Sequence, residues 1–308
     1  WDEWSKLTDV VVGHANHAFL PDAGGMNAIY ALWDGASASA PMNCGEPLTK
    51  VAHGWMYPRK QVNGAVAEMD NFVRVLQSYN INVRRPSIVN WTEESFEVGD
   101  FSIRGGFSNK DPRDAFITIG NEVIECPMGM PCRHYEYKSY ESIFDRSANG
   151  TDPSHRYIYS IAPKPSRKMS MYKERSDAAM GLTESEPCFD AADCLQFGAH
   201  IFMQRSVVTN FAGIDWLRMS ASARSSLTSM STKTTTRARV LVPLLRYAMS
   251  CACVCVRVHA GAHLKPKGIH VHNIDFNAGG QQMHIDTTIA PIKPGILVQN
   301  PEWMPLPA

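Results

Sequence analysis

The sequence lacks an excess of charge of one sign. Thirty basic residues balance thirty acidic ones, so the formal net charge is zero. A neutral chain has no overall electrostatic attraction for nucleic acid or for an anionic membrane surface. No apolar run approaches the roughly 18 residues that a membrane-spanning helix needs. We therefore expect neither nucleic acid nor a membrane as a partner, and a small neutral or zwitterionic ligand fits better.

Paired cysteine motifs and phosphate-binding loops are also absent. The eight cysteines form no C-x-x-C pair and no regular framework in 308 residues. This pattern favours free thiols in a reducing compartment, which predicts a cytoplasmic location. No Gly-rich loop of the kind that cradles nucleotide phosphates occurs, which argues against a nucleotide site.

Short strands alternate with helices along the first part of the chain. With 44% apolar residues, the chain has enough material for a large core. The apolar run from Asp9 to Gly13 predicts a buried strand. Apolar residues spaced three and four apart from Pro58 to Tyr79 predict an amphipathic helix that ends before Asn80, and Ile81 to Val83 predicts a second strand.

Two hairpins are predicted further along. Gly120-Asn121 joins two β-rich runs, residues 115–119 and 122–125, in a way typical of a two-residue turn. A second pair is predicted for residues 286–292 and 295–298. The mixed α/β pattern lacks regular βαβ spacing, so a doubly wound nucleotide-binding sheet is not favoured.

Residues 219–262 differ from the rest in composition. A Ser/Thr/Arg-rich stretch leads into Cys251-Ala252-Cys253-Val254-Cys255 and a Val/His-rich run. One simple nucleotide repeat could encode residues 251–260. We interpret the segment as a low-complexity insert translated from non-coding sequence, and the alternative is a genuine surface loop or helical hairpin. Its cysteines lack the second ligand cluster that structural zinc sites use.

Four residues suggest chemistry on a guanidinium group. A guanidinium is a planar cation with forked N–H donors, so its site needs carboxylates, and Asp114, Asp190 and Asp286 are candidates. His284 stands two residues before Asp286 and would share its face on an extended strand. An imidazole beside a carboxylate is suited to proton transfer near neutral pH.

At these residues the sequence resembles the amidinotransferase family. The blocks that carry the resemblance occur in the same order as in the family and span nearly the whole chain outside residues 219–262. The matching blocks are EWSKLTDVVVG (3–13), VRRP (83–86), PRDAFITIGNEVIECPM (112–128), APKP (162–165), EPCFDAAD (186–193), IFMQRSVVTNFAGIDWLR (201–218), MHIDTT (283–288) and PGILVQNPE (294–302).

The resemblance implies an α/β fold of the pentein type, a five-bladed α/β propeller that is incomplete at its C-terminus. Residues 1–218 would form the first part of this domain and residues 263–308 its continuation, with the final blade missing. No internal repeat is visible in the strand pattern itself, so the fivefold architecture is implied by the resemblance alone.

The resemblance also implies a reaction and its residues. A cysteine thiolate attacks the guanidino carbon of L-arginine, and the amidino group then passes to an amine acceptor. His284 would be the general acid and base, and Asp190 would orient it. The substrate-binding set would be Asp114, Asp286, Met283 and Arg133, of which Arg133 has an alternative role as a structural ion-pair former. No cofactor is implied, and a homodimer is left open.

The expected nucleophile has no match in this chain. None of the eight cysteines fits the family's motif, and Cys188 is interpreted as a packed thiol. We therefore expect this stretch by itself to be inactive. Two alternatives remain, a non-catalytic remnant and a guanidino-hydrolase of the same superfamily, which would use water in place of the amine.

The residues around the acceptor position depart from the glycine-using members. Trp303 follows Asn300-Pro301-Glu302 where those members have an arginine, and an indole cannot pair with a carboxylate. Gln281-Gln282 also replaces their Asn-Pro. In these features the chain most resembles the amidinotransferase of the saxitoxin pathway. His270-Val271-His272 could bind a metal as an alternating pair, but the implied mechanism needs none, so no metal site is predicted.

Overall fold

The computed structural model describes residues 2–21, 42–43, 46–51, 54–93, 95–98, 101–146, 157–163, 182–225, 253–254, 269–274 and 284–299. Strands and helices alternate through these ranges. The strands are β1 (Asp9–Val12), β2 (Phe19–Pro21), β3 (Met42–Asn43), β4 (Glu46–Pro47), β5 (Thr49–Val51), β6 (Gly54–Met56), β7 (Asn82–Arg84), β8 (Ser95–Val98), β9 (Phe101–Arg104), β10 (Phe116–Ile119), β11 (Glu122–Glu125), β12 (Ile158–Ile161), β13 (Cys194–Phe197), β14 (His200–Gln204), β15 (Cys253–Val254), β16 (His270–Ile274), β17 (Ile289–Lys293) and β18 (Ile296–Gln299). The α-helices are α1 (Arg59–Ser78), α2 (Pro112–Ala115) and α3 (Phe211–Ser225).

Three small sheets share one pairing pattern. They have the strand orders β15-β1-β7, β10-β11-β12 and β13-β14-β16. In each, the central strand has one antiparallel and one parallel neighbour. The parallel partner follows α1 in the first sheet and α3 in the third, as expected because parallel strands need a long crossover. The structure therefore contains a repeated unit that the hydrophobic pattern of the sequence did not reveal.

One apolar core joins these sheets. It contains Val11 of β1, Ile124 of β11, Met203 of β14 and Val271 of β16, all buried. Because successive side chains of a strand point to opposite faces, Val10 and Val12, on either side of Val11, pack against α1 instead. The core thus holds the three sheets in one body, and the polar residues of the candidate site lie on short turns between them.

The amphipathic helix that the sequence predicts for residues 58–79 is confirmed as α1. Met69 and its apolar neighbours pack on Val10 and Val12 of β1. The helix ends at Ser78, and Asn80 has the left-handed φ of 59° from which the chain turns into β7. In the part of the chain that the structure describes, no helix combines the length and apolar character that crossing a bilayer requires.

The hairpin predicted around Gly120-Asn121 is confirmed. Strands β10 and β11 pair antiparallel with Ile119 opposite Glu122. Gly120 has a φ of 64°, a left-handed conformation that glycine adopts without a steric penalty. The hairpin matters for the site because α2, which carries Asp114, leads directly into β10.

The second predicted hairpin exists but begins later than expected. Asp286 lies in a 3₁₀ turn, Ile285–Thr287, and β17 begins only at Ile289. The prediction that His284 and Asp286 share a strand face is therefore wrong. Thr287 Oγ1 donates a hydrogen bond to the His284 carbonyl at 2.7 Å, and such local side-chain bonds compete with strand pairing.

The predicted boundary at residue 218 falls inside a helix. Helix α3 continues to Ser225, and β15 pairs antiparallel with β1 at Val11 and Val12. The other residues of 219–262 lie outside the described residues, so the low-complexity insert stays a prediction.

Gly213 allows close contact between α3 and the loop before Asp190. A Cβ atom at this position would lie 2.2 Å from the Cys188 carbonyl oxygen, which is backbone and cannot move aside cheaply. We expect Gly213→Ala to lower the free energy of unfolding by about 1–3 kcal/mol through overpacking. Urea titration of the purified chain measures this difference.

Gly64 is the matched control, since it is exposed in α1 and a Cβ there would meet nothing within 4 Å. Gly64→Ala should raise the free energy of unfolding by about 0.5–1 kcal/mol, because alanine is the better helix former. Equal effects of the two substitutions would show that the contact at Gly213 does not constrain the fold.

Candidate active site

Four of the predicted site residues converge from distant parts of the chain. Asp114 lies in the one-turn helix α2, and Arg133 ends the 3₁₀ turn Pro131–Arg133. Asp190 directly precedes the 3₁₀ turn Ala191–Asp193, and His284 directly precedes the turn Ile285–Thr287. Each side chain is thus carried at or near the end of a short element, where the backbone changes direction.

The loop that carries Asp190 is tied to the start of α3. Asn210 Oδ1 accepts hydrogen bonds from the backbone N–H of Cys188 at 2.9 Å and of Gly213 at 2.8 Å. The Asn210 N–H donates to the Cys188 carbonyl at 3.0 Å, so this residue both caps the helix and clamps the loop. Thr209 Oγ1 accepts from the Asp190 N–H at 3.2 Å. These bonds fix the position of Asp190.

Asp193 supports this arrangement from within the protein. Its Oδ2 accepts hydrogen bonds from Ser206 Oγ and from Thr209 Oγ1, the hydroxyl that also contacts Asp190. Asp193 is fully buried, and burial raises its pKa to about 8 against the opposing effects of His284 and the two hydroxyls. At neutral pH this carboxyl is therefore mainly protonated.

His284 lies between two buried carboxylates. Its Nε2 is 3.2 Å from Asp190 Oδ2, and its Nδ1 is 3.9 Å from Asp114 Oδ1. Burial lowers the pKa of His284, but the charge of Asp114 and the hydrogen bond to Asp190 outweigh burial and raise the pKa to about 10. The imidazole is consequently a cation at neutral pH, with a proton available to donate.

Arg133 joins the same carboxylates from the other side. Its Nη1 donates to Asp114 Oδ2 at 2.5 Å and lies 3.5 Å from Asp190 Oδ2. Its Nε and Nη2 donate to the two oxygens of Glu136, both at 2.9 Å, in a bidentate pair. The Arg133 side chain is only 2% exposed. This geometry is that of an ion-pair former, the alternative considered for Arg133 from the sequence.

The ionisation of the two aspartates differs. Burial raises the pKa of Asp114, yet His284 and Arg133 reverse this and hold it below its ordinary value. For Asp190, burial prevails and the pKa is raised. Asp190 Oδ1 accepts no hydrogen bond from the described residues. This buried oxygen is therefore the acceptor that a bound donor group can satisfy.

Asp114, Asp190 and His284 also have the spacing of metal ligands, with one atom from each within 4.8 Å of the others. Arg133 decides against this interpretation. Its guanidinium already bonds to Asp114 and lies 3.5 Å from Asp190, so a divalent ion would face a buried positive charge at close range. The carboxylates are arranged for guanidinium-type cations.

The remaining predicted residues are placed differently. Asp286 Oδ2 lies 3.8 Å from Arg113 Nε, and Arg113 makes a bidentate pair with Glu3 at 3.0 and 3.1 Å. Burial raises the pKa of Asp286, whereas Arg113 and His284 lower it. Asp286 thus borders the cluster without bonding to it. Met283 lies outside the described residues, as do Gln281, Asn300 and Trp303.

The four cysteines whose side chains are described are packed in the interior. Cys126, Cys132, Cys188 and Cys194 are free and buried. Burial raises the pKa of Cys132, Cys188 and Cys194, which disfavours the thiolate that a nucleophile needs. Cys188 is fully buried, in agreement with its interpretation as a packed thiol.

Sequence reasoning missed Glu136, Asp193 and Thr209. Glu136 stands three residues after Arg133, a spacing at which side chains meet on a helical turn. Asp193 closes the EPCFDAAD block three residues after Asp190. Thr209 carried no usable signal, because its role depends on contact with a loop remote in sequence.

The raised pKa of Asp193 predicts a pH-dependent stability. The folded carboxyl keeps its proton up to about pH 8, whereas the unfolded one loses it near 3.8. Between these values the folded state binds more protons, so the free energy of unfolding falls as pH rises, by up to about 1.4 kcal/mol per pH unit. Asp193→Asn cannot ionise and should flatten this decline, as measured by urea unfolding at pH 5 and pH 8.

Asp215 provides the control, because it is an aspartate with a 58% exposed side chain. Asp215→Asn should leave the pH profile of the wild type in place. A decline that persists unchanged in Asp193→Asn would mean that this residue is ionised in the folded protein.

Comparison with known proteins identifies relatives over almost the whole chain, although no family model matches it. The mitochondrial glycine amidinotransferase of Danio rerio is 30% identical over 321 residues, which cover 98% of this chain and 60% of that protein. The L-arginine:L-lysine amidinotransferase of Pseudomonas savastanoi pv. phaseolicola is 26% identical over 98% of this chain and 68% of its own length. This chain thus spans less than two thirds of the glycine amidinotransferase that it matches.

A solved structure agrees with these relatives. SxtG, an amidinotransferase from Microseira wollei in the saxitoxin biosynthetic pathway, superposes with a TM-score of 0.69 at 27% identity, over 100% of this chain and 71% of that one. The α/β architecture is therefore that of the amidinotransferases, which fits the expected pentein fold. In sequence and in structure alike, the chain is similar to amidinotransferases.

Proposed function

We propose that this chain provides the acid–base and guanidinium-binding part of an enzyme that transfers an amidino group from L-arginine to an amine. The observation that carries the proposal is the placement of His284, a partly buried imidazolium between the buried carboxylates of Asp114 and Asp190 in a charge network closed by Arg133. In a protein similar to amidinotransferases, such a group is suited to giving protons to, and taking them from, the amine nitrogens that leave and attack a guanidinium carbon.

The protonation state of His284 suits a two-step reaction. In the first step, a cysteine thiolate attacks the guanidino carbon, the C–N bond to ornithine breaks, and His284 gives its proton to the leaving amine. The imidazole is then neutral. In the second step, the acceptor amine attacks the covalent amidino group, His284 takes the proton from that amine, and the thiolate leaves. A pKa of about 10 ensures that the cycle begins with the acid form.

The carboxylates bind and polarise the substrate in this proposal. A guanidinium presents forked N–H donors, and carboxylate oxygens accept their hydrogen bonds. Asp190 Oδ1, which accepts no bond from the described residues, and Asp286, which makes only a long contact with Arg113, are available for it. Asp114 is held ionised by Arg133 and His284 and stabilises the positive charge that persists through the tetrahedral intermediate.

We propose that the nucleophilic cysteine belongs to a part of the parent protein outside the described residues. The described thiols are buried, and the chain spans 60% of the Danio rerio relative. If that part lies outside these 308 residues, this stretch by itself is inactive. The same burial of the thiols supports a second candidate, a guanidinium-binding remnant without catalytic activity.

The finer identity rests on the solved relative and on the repeated sheets. The similarity to SxtG supports an acceptor amine in a saxitoxin-like pathway. The three sheets with one pairing pattern support the interpretation that they are blades of a five-bladed propeller.

The function is tested on the product of the full-length transcript. Incubation with guanidino-labelled L-arginine should give a covalent amidino adduct by intact mass, and an added amine should discharge it. His284→Asn should slow adduct formation about 10²-fold or more through loss of general acid catalysis. Asp215→Asn, at an exposed position, is the control and should react like the wild type.

Each outcome separates the two candidates. An adduct that forms equally fast in His284→Asn contradicts the assigned role of His284. A full-length protein that binds L-arginine by calorimetry but never forms an adduct identifies the non-catalytic remnant.

The coupling between His284 and Asp114 gives a further test. The charge of Asp114 is the largest influence that raises the pKa of His284, so Asp114→Asn should lower that pKa. The alkaline limit of adduct formation should move to lower pH with it. NMR titration of the His284 imidazole in the chain measures the shift directly.

Asp286→Asn is the matched control, because Asp286 is not among the main influences on His284. In Asp286→Asn, the pKa of His284 should stay near its wild-type value. An unchanged pKa in Asp114→Asn would show that Asp114 does not sustain the imidazolium.

A further inference from the structure

Three histidines gather on the outer face of the sheet β13-β14-β16. Strands β14 and β16 run parallel with His200 opposite His270 and Phe202 opposite His272. The alternate residues Ile201, Met203 and Val271 enter the apolar core. Since side chains alternate along a strand, His200, His270 and His272 project from the opposite, outward face.

The imidazoles are in direct contact. His200 Nδ1 and His272 Nε2 are 2.9 Å apart. The ring of His270 stacks on that of His200 with centroids 5.3 Å apart and an interplanar angle of 22°. A nitrogen pair at this distance must share one proton in an N–H···N bond, because two protonated imidazoles would repel each other.

The surroundings favour the neutral form of the His272 ring. Among the described residues no carboxylate forms an ion pair with any of the three. Burial lowers the pKa of His272, and the nearby charges of His200, His270 and Arg218 lower it further. Phe202 stacks on the His272 ring at 4.9 Å and limits its movement. Neutral imidazole is the form that ligates metal ions.

The spacing matches a pair of metal ligands. Two imidazole nitrogens at about 2.0–2.1 Å from one ion lie about 2.9 Å apart when they subtend a right angle. Right angles are the rule in square-planar and octahedral sites of Cu²⁺ and Ni²⁺. His200 is exposed, and exposed side chains reorient within nanoseconds, so both lone pairs can turn toward one ion.

We propose that His200 and His272 form a surface site for a divalent transition metal ion, with His270 beside them as a further imidazole. Nitrogen ligands select Ni²⁺, Cu²⁺ or Zn²⁺ over the hard ions Mg²⁺ and Ca²⁺, which take oxygen ligands. The ion replaces the shared proton and ties β14 to β16. This site is separate from the proposed amidinotransferase chemistry, which uses none of the three histidines.

The test is calorimetric titration of the untagged chain with NiCl₂. We expect saturable binding that Mg²⁺ does not compete for. His200→Ala and His272→Ala should each weaken it at least about tenfold, since even residues that only support a ligand cost 10–100-fold when replaced. Added Ni²⁺ should also raise the Tm of the wild type, because the paired site exists only in the folded state.

Two controls make the outcome specific. His17 is exposed and has a φ of 55°, a conformation that asparagine tolerates, so His17→Asn should bind Ni²⁺ like the wild type. His284→Asn removes a ligand atom from the alternative site among the described residues, where His284 has the carboxylates of Asp114 and Asp190 at ligand spacing. Binding that survives His200→Ala/His272→Ala, or that is lost in His284→Asn instead, overturns the proposal. Absence of saturable binding in the wild type also overturns it and leaves the pair as an N–H···N hydrogen bond between strands.

Discussion

The buried guanidinium of Arg133 is the interaction on which the candidate site depends. It bonds to Asp114 and to both oxygens of Glu136, and it lies 3.5 Å from Asp190. Burying a charge is costly unless it is paired, and removing one partner of a buried pair costs about 3–5 kcal/mol. The carboxylates therefore hold Arg133, and Arg133 holds the carboxylates, at positions that neither could keep alone. His284 adds a second cation to the same group of oxygens.

The rigidity of this group comes from the loop that ends at Asp190. Asn210 caps α3 and clamps Cys188 with one side chain, while Gly213 permits the close approach. Asp193 and Thr209 continue the support behind Asp190. The proposed chemistry requires an imidazolium that can give up its proton and recover it. A carboxylate fixed by backbone bonds keeps that imidazole in one orientation through both steps.

Much of the local structure follows from the sequence because it depends on neighbours in the chain. The apolar spacing of residues 58–79 predicted α1, and Gly120-Asn121 predicted its hairpin. The prediction failed at Asp286, where a threonine hydroxyl stabilises a turn against the strand. The repeat of three sheets was also not visible, since its strands are only two to five residues long and such runs carry little periodicity.

The sequence by itself determined the resemblance to the amidinotransferases, the amphipathic helix and the identity of the charged residues, because short motifs and periodicity are local properties. The tertiary structure alone decided which charges meet. His284 and Asp190 stand 94 positions apart, and only the fold places Glu136, Asp193 and Thr209 behind them. Likewise His270-Val271-His272 had no evident partner until the parallel pairing of β14 with β16 placed His200, 72 positions away, against it. Contacts of this range depend on how sheets pack around the core, and no short pattern records that packing.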